Sequence, residues 1–210
     1  MRFGGIFLAL LMLAGCAGTP STTSAGTAPT TTTQTTPDPA LIESRILRAQ
    51  LTDDTVTPLG YTLTSGPEQK NYRIVLCKTQ LPTDGAQSAT KTATRWANQA
   101  ASSTLIQYTI SYRRVAAAAE TVELGRTGLD CGTFEIEDSA YTAAQELAIP
   151  ALGADAQFAL CYGRDALVEC TLLLSKGDLF TMITYIGADR QRAATDLEAA
   201  GRAVLPLLRP

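Results

Sequence analysis

The 210-residue sequence contains no histidine. That absence removes the Ser-His-Asp and Cys-His nucleophile systems, most zinc sites and the usual pH switch. Clustered basic charge is missing too. Arg113-Arg114 is the only adjacent basic pair, and the formal charge is −3, or −4 once Arg2 leaves with a leader. Phosphate contacts need clustered Lys and Arg, so nucleic acid is not an expected partner. No Gly-x-Ser-x-Gly, phosphate loop, dinucleotide fingerprint or Cys-x-x-Cys occurs. These gaps argue for a binding protein rather than an enzyme, with no catalytic residue, no metal and no cofactor expected.

What is present begins at the N-terminus. Met1-Arg2 is followed by the uncharged apolar run Ile6 to Ala14. A membrane-spanning helix needs about 20 apolar residues, so this run fits the core of a secretory signal instead. It ends Leu13-Ala14-Gly15-Cys16, which looks like a lipobox. In such signals the leader is cut before the cysteine, whose thiol carries a diacylglyceryl group. Two or more acyl chains such as palmitate anchor durably. The expected organisation is a signal peptide over 1–15, lipidated Cys16 and a linker over 16–38, and one domain over 39–210. Residues 17–37 hold Thr, Ser, Ala, Gly, Pro and a single Gln, with nothing large to bury. They read as a disordered tether that spans on the order of 25 Å.

The remaining chain alternates in period. Pro39 starts a short amphipathic helix through Leu41, Ile42, Ile46 and Leu47, ending near Leu51. Tyr72, Ile74 and Leu76 predict a strand arriving at Cys77, residues 81–89 a loop, and residues 90–100 a helical turn or two around Trp96. Thr104 to Tyr112 is the clearest strand, with Ile106, Tyr108, Ile110 and Tyr112 on one side and Gln107, Thr109 and Ser111 on the other. Val115 to Leu129 predicts a helix whose buried face is Ala118, Val122, Gly125 and Leu129. Three β-rich runs, 156–162, 167–175 and 179–186, form a meander. Asp189 caps a last helix striped by Ala193, Leu197, Ala200, Val204 and Leu208. The expected class is α+β: an antiparallel sheet of about five strands packed with helices and holding two intradomain disulfides.

Export permits those disulfides. Cys161 and Cys170 sit on successive strands across a short turn, where Cα atoms approach to about 4.5–5.5 Å. That leaves Cys77 with Cys131.

The folded part resembles the extracellular sensor domain of the PknH-like family, found at the outer end of some actinobacterial kinases and alone in lipoproteins. The resemblance rests on three segments, in order. They are Leu51-Thr52-Asp53-Asp54 with Pro58-Leu59-Gly60-Tyr61, the stretch from Tyr112 to Leu129-Asp130-Cys131, and Ile149-Pro150-Ala151-Leu152-Gly153-Ala154-Asp155-Ala156. It implies two disulfides in the same order and a cleft between sheet and helices. It also implies a place on the outer face of an actinobacterial plasma membrane. No kinase domain accompanies it here, so sensing must pass through a partner. Trp96, Tyr108, Tyr112 and Arg113, with Arg95, are candidates for lining that cleft toward an unknown ligand or envelope protein. Two rival expectations remain. A carrier of lipid or another apolar molecule needs a dry cavity of several hundred Å³. A cell-wall hydrolase needs paired carboxylates, for which Asp53-Asp54 and Glu135-Glu137-Asp138 are candidates.

Overall fold

The computed structural model describes residues 38–68, 81–136 and 138–209. Among the described residues there are four α-helices: α1 Pro39–Arg48, α2 Asp53–Val56, α3 Val115–Gly125 and α4 Arg190–Val204. Short 3-10 turns follow α2, α3 and α4, and another, Pro82–Ala86, leads into the second strand. The strands are β1 Thr62–Ser65, β2 Gln87–Asn98, β3 Ser103–Tyr112, β4 Phe134–Ile136, β5 Ser139–Tyr141 and β6 Gln145–Glu146. The last three are β7 Ala156–Arg164, β8 Leu167–Lys176 and β9 Leu179–Gly187. All pairings are antiparallel, in the order β1-β2-β3-β9-β8-β7-β5-β4 with β6 added beside β7.

The sheet is sandwiched. On one face, Ile42 and Ile46 of α1, Val56 of α2 and the stripe Ala193, Leu197, Ala200 and Val204 of α4 meet Trp96, Leu105, Leu172 and Ile183. On the other, Ala117, Ala118 and Val122 of α3 meet Ile110, Tyr112, Leu160, Leu173 and Phe180. Each large aliphatic side chain fully buried here contributes roughly 1.5–3 kcal/mol. The side chains of β3 divide as their alternation requires. Tyr108, Ile110 and Tyr112 lie on the α3 side, while Gln107 and Thr109 face α1.

Two expectations are corrected. The segment 90–100 is strand, not helical turn, because β2 runs from Gln87 to Asn98 and pairs with β3 along its length. Thr90, Thr92 and Thr94 are β-branched and alternate, a pattern that suits a strand once a partner is present. Among the described residues the antiparallel sheet has nine strands rather than about five. The additions include β1, β4, β5 and β6, each two to four residues long and too short to show a period. The meander, the α4 stripe and the Asp189 cap are found as expected, with Asp189 accepting from Gln191 and Arg192 N–H. The expected strand over Tyr72–Leu76 lies outside the described residues.

Cys161 and Cys170 are direct cross-strand partners on β7 and β8 and form a disulfide with Cα atoms 3.9 Å apart. Both are buried against α4 and its neighbours. Cys131 is also disulfide-bonded; Cys77, its expected partner, lies outside the described residues.

Candidate functional site

The residues expected to line one cleft divide between the two faces of the sheet. Trp96 is buried on the α1/α4 side, where its Nε1–H donates to Asp53 Oδ1 at 3.2 Å. Tyr112 is buried on the α3 side and accepts from Thr121 Oγ1 at 3.0 Å. Tyr108 packs half-buried on that same side. Arg113 is exposed and donates to the Gly85 carbonyl at 2.5 Å, and Arg95 is exposed on β2. Trp96 therefore shares no cavity with Tyr108, Tyr112 and Arg113.

The first segment quoted for the resemblance is a clamp. Leu51 N–H donates to Gln107 Oε1 at 2.7 Å, and Asp53 takes the indole of Trp96. Gly60 adopts φ +85°, and a Cβ there would lie 2.6 Å from Asn98 Nδ2. The preceding Leu59 carbonyl accepts from Asn98 and Arg192. Tyr61 is buried, and burial raises its phenol well above the usual range. Asp53 and Asp54 belong to α2 beside β1, whereas Glu135 lies on β4 at the opposite edge of the sheet. At about 4.8 Å per strand those edges are some 30 Å apart, far beyond the reach of a glycosidase carboxylate pair. Glu137 lies outside the described residues. Among the described residues no group of three metal-ligating side chains occurs.

One concavity lies on the outer side of α3. A groove of about 720 Å³ is lined by Pro82, Ala116, Ala119 and Leu124, with Arg114, Glu120 and Glu123 among its polar groups. It is open, since Pro82, Arg114, Ala116, Glu120 and Glu123 are all exposed. It is therefore not the closed, dry chamber a lipid carrier requires. At its rim Arg114 holds Glu120 through two bonds of 2.5 and 2.7 Å. That hydrogen bonding keeps the Glu120 carboxyl below its ordinary range. Val115, at the start of α3, is 63% exposed.

A second cleft of about 500 Å³ lies at the β7 edge, lined by Arg126, Leu147, Ile149, Pro150, Gln157 and Phe158. The Arg126 guanidinium sits 4.6 Å from the Phe158 ring centre and pairs with Glu123 at 2.9 Å. Glu123 thus lines the groove while its partner lines the cleft. The third resemblance segment forms part of this cleft. It is braced by Gln157, which accepts from Leu152 N–H and donates to the Ile149 and Pro150 carbonyls.

The residues of the groove escaped the sequence reading, although a signal was present. Helix α3 reads VAAAAETVELG, apolar on both faces. Ala117, Ala118, Thr121, Val122 and Gly125 are buried toward the sheet, and Leu124 packs half-buried beside them. On the other face Val115 and Ala116 are exposed and Ala119 is half-buried.

No protein-family model matches this chain. No curated protein matches it either. Among solved structures, the fold is similar to the extracellular domain of PknH from Mycobacterium tuberculosis. The TM-score is 0.55 at 9% identity, and the match covers 79% of this chain and 95% of that one.

Proposed function

We propose that this chain is a cell-envelope lipoprotein, held to the membrane by Cys16 and facing the extracytoplasmic side. Its sensor-like domain binds a ligand or protein partner without catalysing a reaction. The shared fold with an extracellular domain supports an extracytoplasmic setting. The anchor is read from Leu13-Ala14-Gly15-Cys16 at the end of the apolar leader; among the described residues no helix is long and apolar enough to cross a membrane.

The observation that carries the binding role is the α3 groove: an apolar lining of Ala116, Ala119, Leu124 and Pro82 beside the exposed Arg114–Glu120 ion pair. A lining of that kind with a few oriented polar groups is the usual make-up of a recognition site. The carboxylates of α2 and β4 stand at opposite sheet edges, which gives hydrolysis no support.

The test is a photo-crosslinking residue placed at Ala119 in the full chain in intact cells. The control is the same residue at Thr195, exposed on α4. A discrete adduct at position 119, absent at 195 and lost when Ala116→Arg fills the groove, is the expected result. Equal labelling at both positions, or an adduct at 119 indifferent to Ala116→Arg, rules the groove out as the binding site.

A further inference from the structure

Helix α1 is the first element after the linker that leads from Cys16. Leu41, Arg45 and Arg48 are spaced four and three residues apart, so they lie along one stripe of it. Glu43, the only carboxylate in the helix, lies around the helix from that stripe. The stripe meets the 3-10 turn that follows α4. Together Arg45, Arg48, Pro206, Leu207 and Arg209 line a dimple of about 560 Å³.

Only one of the three guanidinium charges is neutralised. Arg45 grips Asp178 at 2.6 and 3.3 Å, and its buried Nε has no hydrogen-bond partner among the described residues. Arg48 donates to Ser44 Oγ, and Arg209 to the Pro206 carbonyl. Both are exposed, and neither has an ion pair among the described residues. Two large apolar side chains stand beside these charges in the open: Leu41, 63% exposed, and Leu207, 37% exposed. On a chain of net charge −3, a local surface that pairs spare guanidinium groups with exposed leucines is out of character.

We propose that this surface, formed by Leu41, Arg45, Arg48, Leu207 and Arg209, seats on anionic phospholipid headgroups and orients the domain on the membrane to which Cys16 anchors it. The orientation rests on the anchored reading given above; the headgroup contact does not. Arginine matches phosphate geometry with paired N–H donors, and the leucines reach the apolar boundary beneath. If residues 17–37 act as the tether their composition implies, the surface stays at high local concentration near the bilayer and a weak contact suffices.

The experiment uses the full chain with excess vesicles, either pure phosphatidylcholine or an equimolar mixture of phosphatidylcholine and phosphatidylglycerol. Arginines are modified with phenylglyoxal and quantified residue by residue by mass spectrometry. On the anionic vesicles, labelling of Arg48 and Arg209 falls about fivefold relative to neutral vesicles. Arg95 and Arg113 do not change, and the contrast disappears in molar salt. The exposed double variant Arg48→Gln, Arg209→Gln loses the preference for anionic vesicles. Three results overturn the proposal: equal labelling on both vesicle types, protection spread over Arg95 and Arg113 as well, or the same protection by inorganic phosphate without vesicles. Flotation with the neutral vesicles reports separately on the Cys16 anchor, so loss of the tether and loss of the headgroup contact give different results.

Discussion

Tyr61 donates its hydroxyl to Asp196 Oδ2 at 2.8 Å, joining the turn before β1 to the middle of α4 across 135 residues. Asp196 is only 4% exposed, and its other close contact is Arg192 Nε at 3.2 Å. The phenol also lies 3.1 Å from Ser103 Oγ. Tyr61→Phe keeps the ring and removes the donor to a buried carboxylate. It should cost about 1.5–3 kcal/mol in urea unfolding, the range for a hydrogen bond to a charged group. A loss below a few tenths of that range would mean that Arg192 alone satisfies the carboxylate.

Gln107 is the hub of a second buried network. Its Oε1 accepts from Leu51 N–H at 2.7 Å, and its Nε2 donates to the Ala49 carbonyl at 2.8 Å. The C-terminal end of α1 is therefore closed by a side chain from the sheet instead of by water. Gln107→Leu strands two buried backbone groups, at about 1–3 kcal/mol each. The expected outcome is a strong drop in urea midpoint, together with faster amide exchange at Leu51.

Tyr162 shows the opposite case. Its hydroxyl is buried without a hydrogen-bond partner among the described residues. Tyr162→Phe should therefore leave stability unchanged or raise it slightly, within about 1 kcal/mol. A clearly less stable variant would show that the hydroxyl has a partner after all.

Much of this was legible in the sequence, and the limits have physical causes. The β7–β9 meander and the α4 stripe carry strong local periods. The Cys161–Cys170 pairing follows from a hairpin whose two strands have unmistakable ends. Segment 90–98 reads ambiguously because threonine and alanine fit either state locally, and only pairing with β3 decides it. The division of Trp96 from Tyr112 onto opposite faces was not legible, because it depends on the register between β2 and β3. The Gln107 network was equally hidden, since a glutamine on the polar side of a strand reads as solvated until α1 covers it.

Alkaline pH should unfold the domain in a defined window. Burial pushes the phenols of Tyr141 and Tyr162 up to about 12 and raises those of Tyr61, Tyr112 and Tyr185 as well. Unfolded tyrosine ionises near 10. Folding keeps these groups neutral, so the unfolded state releases protons first. The stability they confer is complete below pH ~10 and is lost as pH rises through about 12. Phenolate absorbance should rise together with loss of circular dichroism, and buried tyrosines ionising well before unfolding would contradict this.

In the proposed function, export, lipid attachment and thiol oxidation all fall on one and the same chain. The direct measurement is the intact mass and free-thiol count of the protein extracted from the membrane fraction and denatured without reductant. The predicted result is a chain that begins at diacylated Cys16 and has no free thiol among Cys77, Cys131, Cys161 and Cys170. A soluble chain that still starts at Met1, or reduced Cys161 and Cys170 in a folded sample, would contradict it.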